Sequence, residues 1–121
     1  MRNAIVGAAV RGPYSPGVIG EGRFVFVSGQ GPLVDGEYVR GTIEEETRLT
    51  LENLGAVLEQ AGSGFEHVVR CGVWIVDLGD FAAMNGVYES FFPEPRPARA
   101  TVRADLMVGK VEIDCIAVVP G

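Results

Sequence analysis

Residues 67–76 constrain the fold more than any other stretch, because they are dense in β-branched residues and apolar on both alternating rows. Val69, Cys71, Val73 and Ile75 form one row, and Val68, Arg70, Trp74 and Val76 form the other. Successive side chains of a strand point to opposite faces, so this run belongs in the middle of a sheet whose two faces both carry apolar side chains. A chain of 121 residues, 47% of them hydrophobic, can build one such core and is too short for two ordinary domains. Residues 1–121 are therefore read as a single domain.

The flanking sequence supplies the partners of that strand. Residues 23–28 are β-prone and stop at Gly29-Gln30-Gly31-Pro32; Leu33-Val34 and Glu37-Tyr38-Val39 then flank an Asp35-Gly36 hairpin turn. Thr42 with Glu45 three residues later is a capping box, and Thr47, Leu51, Leu54, Leu58 and Ala61 recur at helical spacing up to Gly62, which predicts a helix over 43–61. Asp80 is placed to cap a second helix carrying Phe81, Met84, Val87 or Tyr88, and Phe91. Pro93-Glu94-Pro95-Arg96-Pro97 ends that helix in an extended linker, since proline lacks the amide and restrains the residue before it. Two strands, at about 100–106 and 110–119, close the chain, and the order of elements predicts an α+β fold with helices on one face of a mixed sheet. Two helices cover one face only. A second copy of the chain is the expected cover for the other face, with residues 1–22 folding back as the alternative.

Composition and missing motifs exclude several functions. The net charge of −6, with no run of Lys or Arg, offers no footprint for nucleic acid, and no window approaches a membrane span, so a cytoplasmic protein that binds neither nucleic acid nor membrane is expected. Cys71 and Cys115 lie in apolar strand-like runs outside any Cys-x-x-Cys pair, which predicts buried, reduced thiols and no metal site. His67 is the only imidazole, there is no Gly-x-Ser-x-Gly elbow, and His67 is expected in a solvent-facing loop, so an activated serine or cysteine is disfavoured. No Walker motif occurs, and Gly29-Gln30-Gly31 is not followed by a glycine at position 34. Glu44-Glu45-Glu46 lies in the first helical turn, where negative charge complements the helix dipole.

The segments Pro97-Ala98-Arg99-Ala100-Thr101-Val102 and Lys110-Val111-Glu112-Ile113-Asp114 carry the chemistry. If they are neighbouring strands, the Arg99 guanidinium and the Glu112 carboxylate converge where neither is easily solvated, which suggests a pocket for a small acid.

Gly12-Pro13-Tyr14-Ser15, Val27-Ser28-Gly29-Gln30-Gly31-Pro32, Thr50 and Asn53, residues 81–88, Phe91-Phe92, Pro97-Ala98-Arg99 and Val111-Glu112-Ile113-Asp114 follow one another in register. The series resembles the RidA-like reactive intermediate (imine) deaminases, also labelled L-PSP endoribonucleases, over nearly the whole chain. The resemblance implies a chorismate-mutase-like fold with a six-stranded sheet, a homotrimer with its sheets facing inward, and a ligand cleft between subunits. It further implies cofactor-independent hydrolysis of 2-imino or enamine acids such as 2-aminoacrylate to 2-keto acids and ammonia. Arg99 matches the family's carboxylate-binding arginine, Glu112 the glutamate that assists water, and Tyr14 the tyrosine that closes the pocket. The backbone at Gly29 and Thr101 matches ligand-contacting positions, Ser28 and Phe91 are placed along the cleft, and Asn85 matches a recurrent asparagine that could equally tie down neighbouring backbone.

Each assignment has a plainer alternative: Arg99 pairing with a surface acid, Glu112 with Lys110 or Arg103, and Tyr14 simply packing. The chain also departs from the pattern. Pro16-Gly17 replaces a common Gln-Ala, Thr101 stands at a position often cysteine or serine, and Leu106-Met107-Val108-Gly109 lacks the usual Leu-Pro in a segment about two residues short. Strand parity keeps Glu112 on its face if the shortening falls in the turn. A non-catalytic small-acid binding module and a ribonuclease that inhibits translation are the competing functions.

Overall fold

The computed structural model describes residues 1–7 and 9–121. The doubly apolar run forms β6 (Val68–Ile75), an inner strand of a mixed four-stranded sheet. The sheet order is β3 (Arg23–Gln30), β8 (Val111–Val119), β6, β7 (Ala98–Arg103). β8 runs antiparallel to both β3 and β6, whereas β7 is parallel to β6 and forms an edge. Two further ribbons stand apart from this sheet: β1 (Arg2–Ile5) with β2 (Gly17–Gly20), and β4 (Leu33–Val34) with β5 (Glu37–Tyr38). The sheet is thus four-stranded and not six-stranded, because two hairpins pair only within themselves.

The inner row of β6 faces the helices. Cys71, Val73 and Ile75 pack with Val111, Ile113 and Cys115 of β8 beneath α1 (Ile43–Gln60) and α2 (Phe81–Phe91), which contribute Leu51, Leu54, Leu58, Met84 and Tyr88. Each of the three leucines is fully buried, at roughly 1.5–3 kcal/mol per side chain. Both ends of α1 are closed by its own sequence. At its start Thr42 Oγ1 accepts from the Glu45 amide at 3.1 Å, while Glu45 Oε1 accepts from the Thr42 amide at 2.8 Å. At its end the amides of Gly62 and Ser63 donate to the carbonyls of Glu59 and Leu58, the reciprocal pattern of a Schellman turn. The second helix differs from expectation. Asp80 precedes α2 without a side-chain capping bond, and Asp77 instead accepts from the Gly79 amide at 2.8 Å, closing a short 3₁₀ turn over Leu78–Asp80. The Asp35-Gly36 turn has positive φ at both residues (50° and 82°), the type I′ geometry that matches strand twist.

Two consequences place the functional residues. β7 and β8 are not neighbours, because β6 lies between them. The connection passes across the end of β6, anchored by Ala104 N–H to the Ile75 carbonyl and Val76 N–H to the Lys110 carbonyl. Moreover, the open sheet face is only partly covered. The β1–β2 ribbon reaches one end, where Gly20 lies so close to Val69 and Phe24 that an added Cβ would stand 3.0 Å from Val69 Cγ1. Beyond it Phe26 is 73% exposed and Val102 is also exposed, so the β1–β2 ribbon covers part of that face and leaves apolar surface beside Trp74 and Ile116.

Candidate functional site

Arg99 sits on the edge strand β7 opposite Cys71, and this register turns it toward the helices. Its guanidinium carbon lies 4.8 Å from the centre of the Tyr88 ring, 4.9 Å from that of Tyr14 and 5.7 Å from that of Phe81. Phe81 and Tyr88 are seven residues apart on α2 and so share one helix face. Tyr14 arrives from the N-terminal segment, which runs alongside β7: Ser15 forms a parallel bridge with Ala98, and its amide donates to the Pro97 carbonyl. Gly12 lets this segment come close, since a Cβ there would stand 3.1 Å from Arg99 Nη2.

All three Arg99 nitrogens are buried, and none makes a hydrogen bond to a described residue. Burial lowers the affinity of the guanidinium for its proton, an effect partly opposed by the Tyr88 and Tyr14 hydroxyls. Aromatic faces contribute about 2 kcal/mol at a desolvated cation, whereas each unmet buried donor costs about 1–3 kcal/mol and more where charge is involved. The rings therefore fix the guanidinium without satisfying it, leaving its planar donor fork suited to a carboxylate.

A second group gathers on the opposite sheet face. Between Val27 and Gln30 the β3–β8 pairing shifts, so that Ser28-Gly29 form a bulge beside β8. Glu112, paired with Trp74, lies over this bulge so closely that a Cβ on Gly29 would stand 2.2 Å from Glu112 Oε2. Only a residue without a side chain permits that approach. Neither expected structural partner holds Glu112, because Lys110 Nζ binds Glu46 at 3.0 Å and Glu112 is in no ion pair among the described residues. Arg99 and Glu112 do not converge within one chain: they point to opposite faces, with β6 between their strands, at least two strand spacings or roughly 10 Å apart.

The remaining expected residues divide between these groups and elsewhere. Thr101 follows Arg99 on the same face of β7, its hydroxyl buried and without a hydrogen bond to a described residue. Asn85 lies one turn beyond Phe81, and its buried carboxamide oxygen accepts no hydrogen bond from a described residue, so the backbone tie expected of it is not made through that oxygen among the described residues. Asn53 makes such a tie instead, donating to the carbonyls of Gly31 and Leu33 at 2.9 Å each. Phe91 is away from Arg99: it packs edge-on against Phe65 at 5.5 Å and lines a cleft of about 600 Å³ with Glu52 and Glu59. Its position at the end of α2 turns it toward α1, where Arg48 lies 5.8 Å above its ring. His67 is half-buried in a 3₁₀ turn, more enclosed than a solvent-facing residue.

Tyr88, Phe81 and Gly12 are neighbours of Arg99 that the sequence does not single out; the seven-residue spacing of the two rings is the available signal, and it equally fits core packing. Glu46 likewise does more than complement the helix dipole. Glu46 is fully buried and accepts from the Tyr38 hydroxyl (2.6 Å), the amides of Gly41 (3.0 Å) and Lys110 (2.8 Å) and Lys110 Nζ (3.0 Å). Although burial alone would raise its pKa, these donors hold it below the ordinary glutamate range. The two cysteines are buried and directly opposed across β6 and β8, with burial pushing the Cys71 thiol up to about 12 and Cys115 higher still.

Fold and caged arginine define a class, an α+β domain with two helices over a mixed sheet and an arginine enclosed at its edge. The sequence model described as Endoribonuclease L-PSP matches residues 3–119. The chain belongs to this RidA-like family. It is 49% identical to the mitochondrial protein mmf2 of Schizosaccharomyces pombe, covering 88% of this chain and 87% of that one. It is 39% identical to a protein of Capra hircus named 2-iminobutanoate/2-iminopropanoate deaminase, covering 91% and 82%. The crystal structure of E. coli TdcF with bound serine superimposes with a TM-score of 0.73 at 37% identity, covering 90% of each chain. Among the described residues no helix is long and apolar enough to cross a membrane.

Proposed function

We propose that this chain hydrolyses 2-imino acids and their enamine tautomers to 2-keto acids and ammonia, in clefts between the subunits of a chorismate-mutase-like homotrimer. The observation that carries the reading is the Arg99 guanidinium, buried among aromatic rings with none of its nitrogens bonded to a described residue. Such a group fits the planar carboxylate of a small acid. The family membership and the deaminase name of the Capra hircus relative support the reaction type, and serine bound to E. coli TdcF supports a ligand bearing a carboxylate beside a nitrogen-bearing carbon.

In the proposed reaction, Arg99 fixes the substrate carboxylate. Water adds to C2 of the C=N bond, its oxygen forming the new C–O bond while a proton moves to nitrogen. The resulting carbinolamine expels ammonia as the C–N bond breaks and the C=O bond forms. Glu112 carries both protons of water to nitrogen in turn, the first as water adds and the second from the carbinolamine hydroxyl as ammonia leaves, with no cofactor. Since Arg99 and Glu112 of one chain face opposite ways, the carboxylate that meets a given Arg99 comes from a second copy. The apolar open face with Phe26 and Val102 supports such an assembly. In this arrangement Tyr14 and Thr101 accompany Arg99, and Ser28 and Gly29 accompany Glu112. Cytoplasmic action stays an expectation of the sequence, since the mmf2 relative is named mitochondrial.

The separation of Arg99 from Glu112 within one chain also favours a second reading, a small-acid binding module without turnover. Ammonia release from imine generated in situ by an amino-acid oxidase separates the readings. The deaminase reading predicts acceleration by the protein and its loss in Arg99→Ala. Binding of 2-oxobutanoate without acceleration identifies the module, and RNA cleavage indifferent to Arg99→Ala identifies a ribonuclease.

A further inference from the structure

An arginine that presents a carboxylate-binding fork is ordinarily aimed by a hydrogen bond to a neighbouring carboxylate or carbonyl, which consumes donors. Arg99 has no such bond to a described residue, and its guanidinium is instead held by ring faces, Tyr88 at 4.8 Å and Tyr14 at 4.9 Å. The two rings are not equivalent. Tyr14 belongs to a segment attached to the sheet edge by the Ser15 bridge, and its hydroxyl accepts from the Arg11 amide at 3.3 Å. Tyr88 is fully buried in the middle of α2 and stacked on Phe92 with centroids 4.4 Å apart at 29°. Its ring is thus stacked on the core side chain Phe92 while the Arg99 guanidinium lies over it.

We infer that Tyr88 is a positioning residue, whose rigid ring orients the Arg99 guanidinium and keeps its donors free for the substrate carboxylate. Because ring faces attract a cation without accepting its N–H groups in directed bonds, this platform aligns the fork at no cost in donors. The ring carries the role, so its hydroxyl is dispensable. This inference rests on the deaminase reading for what the fork receives, and on geometry alone for what holds it.

Two measurements on wild type, Tyr88→Phe and Tyr88→Leu separate those bases. The first is the Nε–Hε resonance of Arg99, expected to be shifted upfield by the rings and slow to exchange in wild type and Tyr88→Phe, and to lose both properties in Tyr88→Leu. The second is steady-state turnover of 2-iminobutanoate below the melting temperature of each variant. Tyr88→Phe should stay close to wild type, while Tyr88→Leu should raise KM roughly tenfold or more with a smaller change in kcat, the signature of a misaligned carboxylate clamp. An Arg99 resonance unchanged in Tyr88→Leu, or a Tyr88→Leu variant with wild-type KM, overturns the platform. A Tyr88→Phe variant as impaired as Tyr88→Leu also overturns it. If the resonance behaves as expected but wild type neither turns over imine nor binds 2-oxobutanoate, the deaminase reading falls and the platform loses its catalytic role, while its hold on Arg99 stands.

Discussion

Glu46 and Arg99 are both enclosed charges in one small chain, yet they are treated in opposite ways. Glu46 meets four donors and joins α1, the β5–α1 loop and the start of β8. Arg99 meets ring faces and no hydrogen-bond acceptor among the described residues. A buried charge with all its partners contributes to structure, whereas one deprived of partners is a standing destabilisation that a ligand can relieve. The contrast is what separates a scaffold residue from a site residue here, since burial and charge alone do not distinguish them.

The largest effect that would sharpen this contrast is on stability. Glu46→Ala strands two backbone amides and the Tyr38 hydroxyl, and should cost about 3 kcal/mol in urea unfolding. A loss below about 0.5 kcal/mol, the range of ordinary surface substitutions, would show that the network is not structural. The same group sets an acid limb. Its folded pKa lies below the unfolded value, so its contribution is fully present above the ordinary glutamate range and disappears as pH falls through the lower folded value. Unfolding measured across that range should show a stability loss in wild type that Glu46→Gln flattens; parallel profiles would contradict the assignment.

A smaller effect tests the other face of the sheet. Gly29→Ala places a methyl where Glu112 Oε2 now lies, so the carboxylate must move off the bulge. Imine turnover should fall roughly tenfold, toward that of Glu112→Gln, with little change in melting temperature because Gly29 is exposed and Glu112 only half-buried on the open face. Wild-type turnover in Gly29→Ala would remove Glu112 from the reaction.

Local chemistry made much of the fold legible. The capping box at Thr42-Glu45, the Asp35-Gly36 turn and the doubly apolar β6 each carry their own signal within a few residues, and each appears where the sequence places it. Strand order does not work that way. Whether β7 pairs with β8 or β6 intervenes depends on contacts distant in sequence, and the face each side chain takes is then fixed by register against β6. That is why Arg99 and Glu112 could be singled out individually while their convergence in one chain was not correct. Glu46 was legible in principle: it follows Ile43 by three residues and precedes Thr50 by four, on the buried stripe of α1. The dipole argument explained the acidic triplet as a group and hid the one member that turns inward. Phe91 differs again, since its place in a motif says nothing about which side of α2 it occupies, and within one chain it lies against Phe65 and Arg48.

The central claim is that Arg99 is buried for a ligand and not for the fold, and Arg99→Met tests it most directly. Methionine fills much of the same space without a charge, so its urea midpoint should equal or exceed that of wild type, while 2-oxobutanoate binding and imine turnover fall to background. A variant that unfolds more readily but still binds the keto acid would contradict the claim, making Arg99 a structural residue and placing the acid site elsewhere.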